Sequence, residues 1–138
     1  MFIGLDLGTS NLKGIVIDDA QNICAEASVS LNINRPNDGW SEQNPRDWIE
    51  AAENIIALLS KKTKLNLVTA IGLSGQMHGA TLLDKNDDVL RPCILWNDTR
   101  SFEEASYLDS QTIFRDLTGN IVFPGFTAPK ISWVRKHE

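Results

Sequence analysis

The first part of the chain is a series of short apolar runs separated by polar breaks. Phe2 to Leu7 is one run, and it ends in Asp6-Leu7-Gly8-Thr9-Ser10, a turn signal. Leu12 to Ile17 is a second, closed by Asp18-Asp19-Ala20-Gln21-Asn22. In the third segment, Ile23 to Leu31, Ala25, Ala27, Val29 and Leu31 share one face and Glu26, Ser28 and Ser30 share the other. Three strands joined by short turns predict an antiparallel meander. The stretch from Asn32 to Asn44, with Pro36 and Gly39, reads as a polar loop. The pattern then changes period. Trp48, Ala52, Ile55, Ile56 and Leu59 recur at helical spacing. Asn44 can cap that helix, Pro45 suits its first position and Asp47 complements its first turn. Lys61, Lys62 and Lys64 sit near its C-terminus, where positive charge is favoured.

Leu67 to Leu73 is apolar and β-branched, which predicts a buried strand. A helix between the meander and this strand implies a crossover and a mixed sheet. Ser74 to Gly79 reads as a loop, and Ala80 to Leu83 with Val89 to Arg91 as a hairpin around Lys85-Asn86-Asp87-Asp88. Cys93 to Trp96 reads as a short strand. Phe102 to Leu108 and Gln111 to Leu117 read as helices, the second stopped by Gly119. A last helix starts near Thr127 and includes Ile131, Trp133 and Val134. Lys136-His137-Glu138 carries no stop signal, which suggests a chain that is part of something longer.

Length and charge narrow the function classes. The 138 residues suit one modest domain able to bury a core without staples. A net charge of -5 argues against non-specific nucleic-acid binding, which runs on basic patches. It leaves room for a small anionic ligand at a turn or helix end. Cys24 and Cys93 are too few for a disulfide framework, and with His78 and His137 far apart a zinc site is not expected. No signal peptide and no membrane-spanning run is visible, so the expected compartment is the cytoplasm.

Four stretches could carry chemistry. In Asp6-Leu7-Gly8-Thr9-Ser10, the carboxylate can face a hydrated Mg²⁺. Gly8 can adopt a positive φ, and the turn's N–H groups can cradle phosphate oxygens. Thr9 and Ser10 add hydroxyls and Lys13 a point charge. An ordinary hairpin turn uses the same residue types. Ser74-Gly75-Gln76-Met77-His78-Gly79 follows a strand, where ligands bind in α/β sheets. Gln76 and His78 can serve a polyhydroxy substrate, although by itself the stretch is better read as a plain strand-to-strand connection with a surface histidine. In Trp96-Asn97-Asp98-Thr99-Arg100, Trp could stack on a sugar face while Asn and Asp bind its hydroxyls. Alternatively Trp96 is core and Asp98 caps the next helix. The fourth, Gly125 to Trp133, reads as a capped amphipathic helix with Trp133 in the core. No GxxxxGK[ST] loop occurs, and Gly72, Gly75 and Gly79 have the wrong spacing for a dinucleotide fingerprint.

Together these stretches resemble the FGGY family of carbohydrate kinases, from Phe2 to the final residue. FIGLDLGTSNLKGIVID resembles the family's first phosphate segment, and GFTAPKISWVRKH its first signature. WSEQNPRDW and SGQMHGATLLD, followed by LRPCILWNDTR, resemble the branch of the family that acts on D-xylulose. Ribulokinases and glycerol kinases differ at the QMHG loop.

The resemblance implies an α/β fold of the ribonuclease H-like, actin-like ATPase superfamily. Its mixed sheet would carry the three-strand meander and flanking helices. Residues 1–138 would be the N-terminal, incomplete part of the first domain. ATP and Mg²⁺ are the implied cofactors and D-xylulose or a similar small sugar the implied substrate. By position, Asp6 would serve the Mg²⁺ and phosphate region, contacting the metal through water. Gly8, Thr9, Ser10 and Lys13 would lie near the transferring phosphoryl group. Met77 and His78 would contact the sugar, with Gln76 beside them, and Trp96, Asn97, Asp98 and Arg100 would line or support that pocket. The family's catalytic base comes from a segment beyond Glu138, so the isolated chain should be inactive. A surface meant for missing segments would be apolar and should drive dimerisation or larger self-association. Alternatives are a kinase of another ketose or polyol, or a non-catalytic sugar-binding module. The QMHG and WNDTR stretches count against a chaperone-type or actin-like ATPase.

Overall fold

The apolar runs and their turns become strands and hairpins in the computed structural model, which describes residues 1–138. In chain order the strands are β1 (Phe2–Leu7), β2 (Asn11–Ile17), β3 (Ile23–Ser30), β4 (Glu42–Gln43), β5 (Ala70–Gly75) and β6 (Cys93–Ile94). The helices are α1 (Pro45–Ser60), α2 (Phe102–Asp109), α3 (Thr112–Thr118) and α4 (Thr127–His137). The chain groups into two units, Met1–Ile33 with Pro45–Gln76 and Asn34–Asn44 with Met77–Glu138.

The first unit is a four-stranded sheet in the order β3-β2-β1-β5. β1, β2 and β3 pair antiparallel, and β5 pairs parallel with β1, so the sheet is mixed as the crossover requires. Local chemistry closes the hairpins. The Gly8 N–H donates to the Asn11 carbonyl at 3.0 Å. The Asp18 carboxylate accepts from the N–H groups of Ala20 at 2.9 Å and Asn22 at 2.8 Å, an Asx turn. Ile3, Leu12, Val16, Ala25 and Leu31 from the sheet bury against Ala51, Ile55 and Leu59 of α1. Close approach is possible because Gly14 lies beneath Ile55; a Cβ there would stand 2.3 Å from Ile55 Cγ2.

The expected buried strand at Leu67 to Leu73 needs correction. Leu65–Leu67 forms a single 3₁₀ turn, and β5 begins at Ala70. The strand is exposed along its length, Leu73 by 80%. The reason is position. α1 covers β2 and β3, while β5 is the sheet's edge and outlies the helix's apolar stripe. An apolar run reports that a strand forms, not where it falls in the sheet order.

The expected polar loop at Asn32 to Asn44 is corrected too. It contains β4, which pairs antiparallel with β6, Glu42 opposite Ile94 and Gln43 opposite Cys93. Ser41, Glu42 and Gln43 are buried although polar. In this second unit Ala80, Cys93, Ile94, Leu95 and Ala105 form the apolar interior. The expected hairpin is present as a Leu83–Val89 bridge closed by the Asp84 to Asp88 turn. β6 is shorter than expected, ending at Ile94. α2 packs on α3 and α4. α3 ends where Gly119, at φ 68°, turns left-handed and returns its N–H to Arg115 at 2.8 Å. No helix is long and apolar enough to cross a membrane.

Candidate active site

In the first unit, the register sets Asp6 of β1 opposite Lys13 of β2 and opposite Ser74 of β5. Directly paired residues project from the same face, so these three side chains share one surface. The Ser74 hydroxyl donates to Asp6 Oδ1 at 2.9 Å. Gly4 and Gly72 are register partners one pleat back on the same face and add no side chains. A depression of about 410 Å³ results, lined among others by Asp6, Lys13, Ser74 and Ile15. Beyond the strand ends, the Thr9 hydroxyl donates to Gln76 Oε1 at 3.0 Å. The β1–β2 turn and the end of β5 thus present a rim of carboxylate, hydroxyl, amide and ammonium groups.

Gly8 is not in the left-handed region expected for it; the glycines with positive φ are Gly39 and Gly119. Its requirement is space, since a Cβ would stand 3.0 Å from the Asn11 carbonyl oxygen. Its N–H is committed to that carbonyl inside the hairpin. Ser10 is exposed, and its carbonyl accepts from the Leu31 N–H at 2.8 Å. No grouping of three or more His, Cys, Asp or Glu side chains could by itself hold a metal ion. One exposed carboxylate fits Mg²⁺, which keeps several waters and takes its remaining ligands from substrate phosphates.

In the second unit, Met77, His78, Trp96 and Asn97 are exposed. Trp96, 42% exposed, is therefore not core. His78 sits at φ 60°, a left-handed conformation that costs a non-glycine residue about 1–2 kcal/mol. Its ring stands 4.6 Å from that of Phe126.

Asp98 and the Arg100 side chain are buried, not presented to a ligand. Asp98 accepts from the Ser41 N–H at 2.6 Å, the Arg100 N–H at 2.9 Å and the Arg100 guanidinium at 2.7–3.1 Å. The helix-cap alternative for Asp98 is corrected, because α2 starts after Ser101 and has no side-chain cap. α4 likewise follows Phe126 with no side-chain cap, against expectation. Arg100 also pairs with Glu42 at 2.8 Å, and Glu42 with Arg91 at 2.6 Å. The guanidinium lies 3.6 Å from the Trp40 ring centre and 5.1 Å from that of Trp133. Asp98 and Glu42 offset the guanidiniums of Arg100 and Arg91, Glu138 adds a contact to Arg91 at 3.2 Å, and indoles flank Arg100, which is how buried charge is tolerated.

Sequence reasoning missed one further residue. Lys130 of α4 is 0% exposed, and its Nζ donates to the carbonyls of His78 and Gly125, each at 2.7 Å. Burial draws its pKa down to about 8, with the Asp98 carboxylate opposing the shift. Cys93 beside it is a buried thiol whose pKa burial pushes up.

A sheet of this order with a polar rim at its strand ends has close structural counterparts in sugar kinases. The pattern of the N-terminal domain of the FGGY family of carbohydrate kinases matches residues 1–138, and the chain belongs to that family. The xylulose kinase of Klebsiella pneumoniae is 47% identical over all of this chain and 29% of its own length. That of Escherichia coli strain K12 is 45% identical over the same shares. The crystal structure of a xyloylose kinase from Brucella ovis superposes with a TM-score of 0.95 at 57% identity, over 98% of this chain and 28% of that one. The chain therefore spans about three-tenths of the length of these relatives. The fold is the α/β, actin-like ATPase fold of these kinases, with a mixed sheet and flanking helices.

Proposed function

We propose that this chain is the N-terminal portion of an ATP-dependent kinase that converts D-xylulose to D-xylulose 5-phosphate. The observation that carries the reading is the match of the whole chain, at 45–47% identity, to xylulose kinases. Another ketose or a polyol is the alternative sugar. ATP and Mg²⁺ are the cofactors, and the compartment is the cytoplasm, with no nucleic-acid or membrane partner. Exposed Phe2, Ile71 and Leu73 on the sheet support self-association of the isolated chain.

In the reaction a sugar hydroxyl attacks the γ-phosphoryl group and gives its proton to a carboxylate supplied from outside these residues. Such transfers depend on positioning and on electrostatic stabilisation rather than on covalent chemistry by the protein. Asp6, steadied by Ser74, would hold a Mg²⁺ ion through water. When bound, that ion neutralises charge on the phosphates. Lys13 places a positive charge on the same face, Ser10 offers a hydroxyl donor to phosphate oxygens, and the Thr9 hydroxyl would have to turn from Gln76 to do the same. Gly8 keeps the hairpin narrow. Met77, His78 and Gln76 contact the sugar, Trp96 stacks on its apolar face and Asn97 binds a hydroxyl. Asp98 and Arg100 hold the Trp96-Asn97 segment from beneath.

The test is ADP release by the full-length kinase against a panel of pentuloses and polyols. D-xylulose should be the preferred substrate. Asp6→Ala should lower kcat by about a hundredfold or more, the scale of a lost electrostatic group, and residues 1–138 alone should show no turnover. Preference for another sugar would move the assignment to the alternative. A fully active Asp6→Ala enzyme would remove Asp6 from the phosphate site.

A further inference from the structure

Lys130 lies outside the chemistry described so far, and its surroundings are unusual for a lysine. It is wholly buried, and its ammonium group donates to two backbone carbonyls, those of His78 and Gly125, each at 2.7 Å. Neither partner is a carboxylate, so the side chain is not completing an ordinary ion pair. Charged ammonium groups are costly to bury, and a carbonyl pair is a weak return unless the geometry it imposes is needed.

Both carbonyls belong to segments that carry or support candidate sugar contacts. His78 is itself one, held at φ 60°, a left-handed conformation uncommon for a non-glycine residue. Gly125 lies against Trp96, for a Cβ on Gly125 would stand only 2.5 Å from the Trp96 carbonyl oxygen. Lys130 therefore ties two loops that are separate in sequence to one point on α4. The ring of Phe126, next to Gly125, packs on the His78 ring at 4.6 Å.

We infer that Lys130 is a positioning residue for sugar recognition, fixing the His78 backbone and the Trp96 segment relative to one another through the carbonyls of His78 and Gly125. The inference rests on the reading of Met77, His78 and Trp96 as sugar contacts, and adds to it a residue that never touches the sugar. Asp98, Arg100 and Cys93 are the charged and titratable groups whose fields reach the ammonium. They hold its charge in balance but do not replace its two carbonyl contacts.

The experiment has two arms. In the full-length kinase, Lys130→Met should raise KM for D-xylulose by roughly tenfold, the change expected for one lost hydrogen bond of ordinary strength. KM for ATP and kcat at saturating sugar should stay within about twofold. Gly125→Ala, which leaves Lys130 intact but pushes on Trp96, should show the same split. Equal rises in both KM values, or loss of thermal stability with an unchanged sugar KM, would overturn the inference. The second arm needs no sugar and no variant. In the wild-type chain labelled with ¹⁵N-lysine and ¹³C carbonyls, the His78 and Gly125 carbonyl resonances should move together with the Lys130 Nζ titration. Carbonyl resonances indifferent to that titration would equally overturn it. A wild-type kinase inert toward D-xylulose would instead remove the parent reading, and the carbonyl titration would still decide whether Lys130 is the clamp.

Discussion

The burial of Lys130 makes a quantitative prediction about stability and pH. In the folded chain its pKa is lowered from 10.5 to about 8, chiefly by desolvation. Between those values the folded state binds fewer protons at this site than the unfolded state does. Stability therefore rises with pH across the interval. The cost is fully present below pH 8, is relieved as pH climbs, and is absent above 10.5, where the lysine is neutral in both states. The gap between the two values corresponds to about 3 kcal/mol, of which about 2 kcal/mol should be recovered between pH 7 and pH 9.5. Other groups titrate in the same range, so the measurement is a difference. Urea unfolding of the wild type and of Lys130→Met, run side by side at several pH values, cancels the shared titrations. The wild type should gain on the variant by about 2 kcal/mol from pH 7 to pH 9.5. A flat difference, or one that narrows, would refute the reasoning, because it would mean that the ammonium is as well solvated in the folded chain as outside it.

Three further outcomes follow from packing and charge. Gly14→Ala should cost about 1–3 kcal/mol by overpacking against Ile55; Ile55→Leu, which removes the offending Cγ2, should make the double variant's loss less than additive in urea unfolding. Arg100→Lys keeps the charge but gives up the two-point contact with Asp98 and the stacking on Trp40, so it should cost about 3 kcal/mol, with weakened near-ultraviolet circular dichroism from the tryptophans. Residues 1–138 should scatter light as a dimer or larger species, through apolar surface such as Leu73; a monomer at every concentration would contradict this.

The meander was legible because two independent signals agreed: apolar runs with alternation in Ile23 to Leu31, and Asx or Gly chemistry at each turn. α1 and the Gly119 stop were legible for similar reasons. Strand order was not. Ile71 and Leu73 have the composition of buried residues and lie on an exposed edge, because composition does not encode which neighbours a helix reaches. β4 was hidden for the opposite reason. Ser41, Glu42 and Gln43 look like loop, and the distant partners Asp98 for Ser41 and Arg91 and Arg100 for Glu42 help make burial tolerable. The same blindness separated the roles inside WNDTR. Trp96 and Asn97 are outside and Asp98 and Arg100 inside, a sorting that the spacing alone leaves open. Lys130 was invisible as a clamp because a lysine on a helix ordinarily reads as solvated surface.

The pairing of β4 with β6 also bears on how the chain matures. Glu42 leaves the ribosome well before Arg91, Ile94 and Arg100, the residues that will neutralise and cover it. At ordinary elongation rates the wait is on the order of several seconds. For that time Asn34–Asn44 must remain solvated while the strands before it and the helix after it are free to dock. A short acidic, tryptophan-bearing tether is thus held open during synthesis, and slowing translation just upstream of Arg91 should lengthen the window in which proteases can cut it.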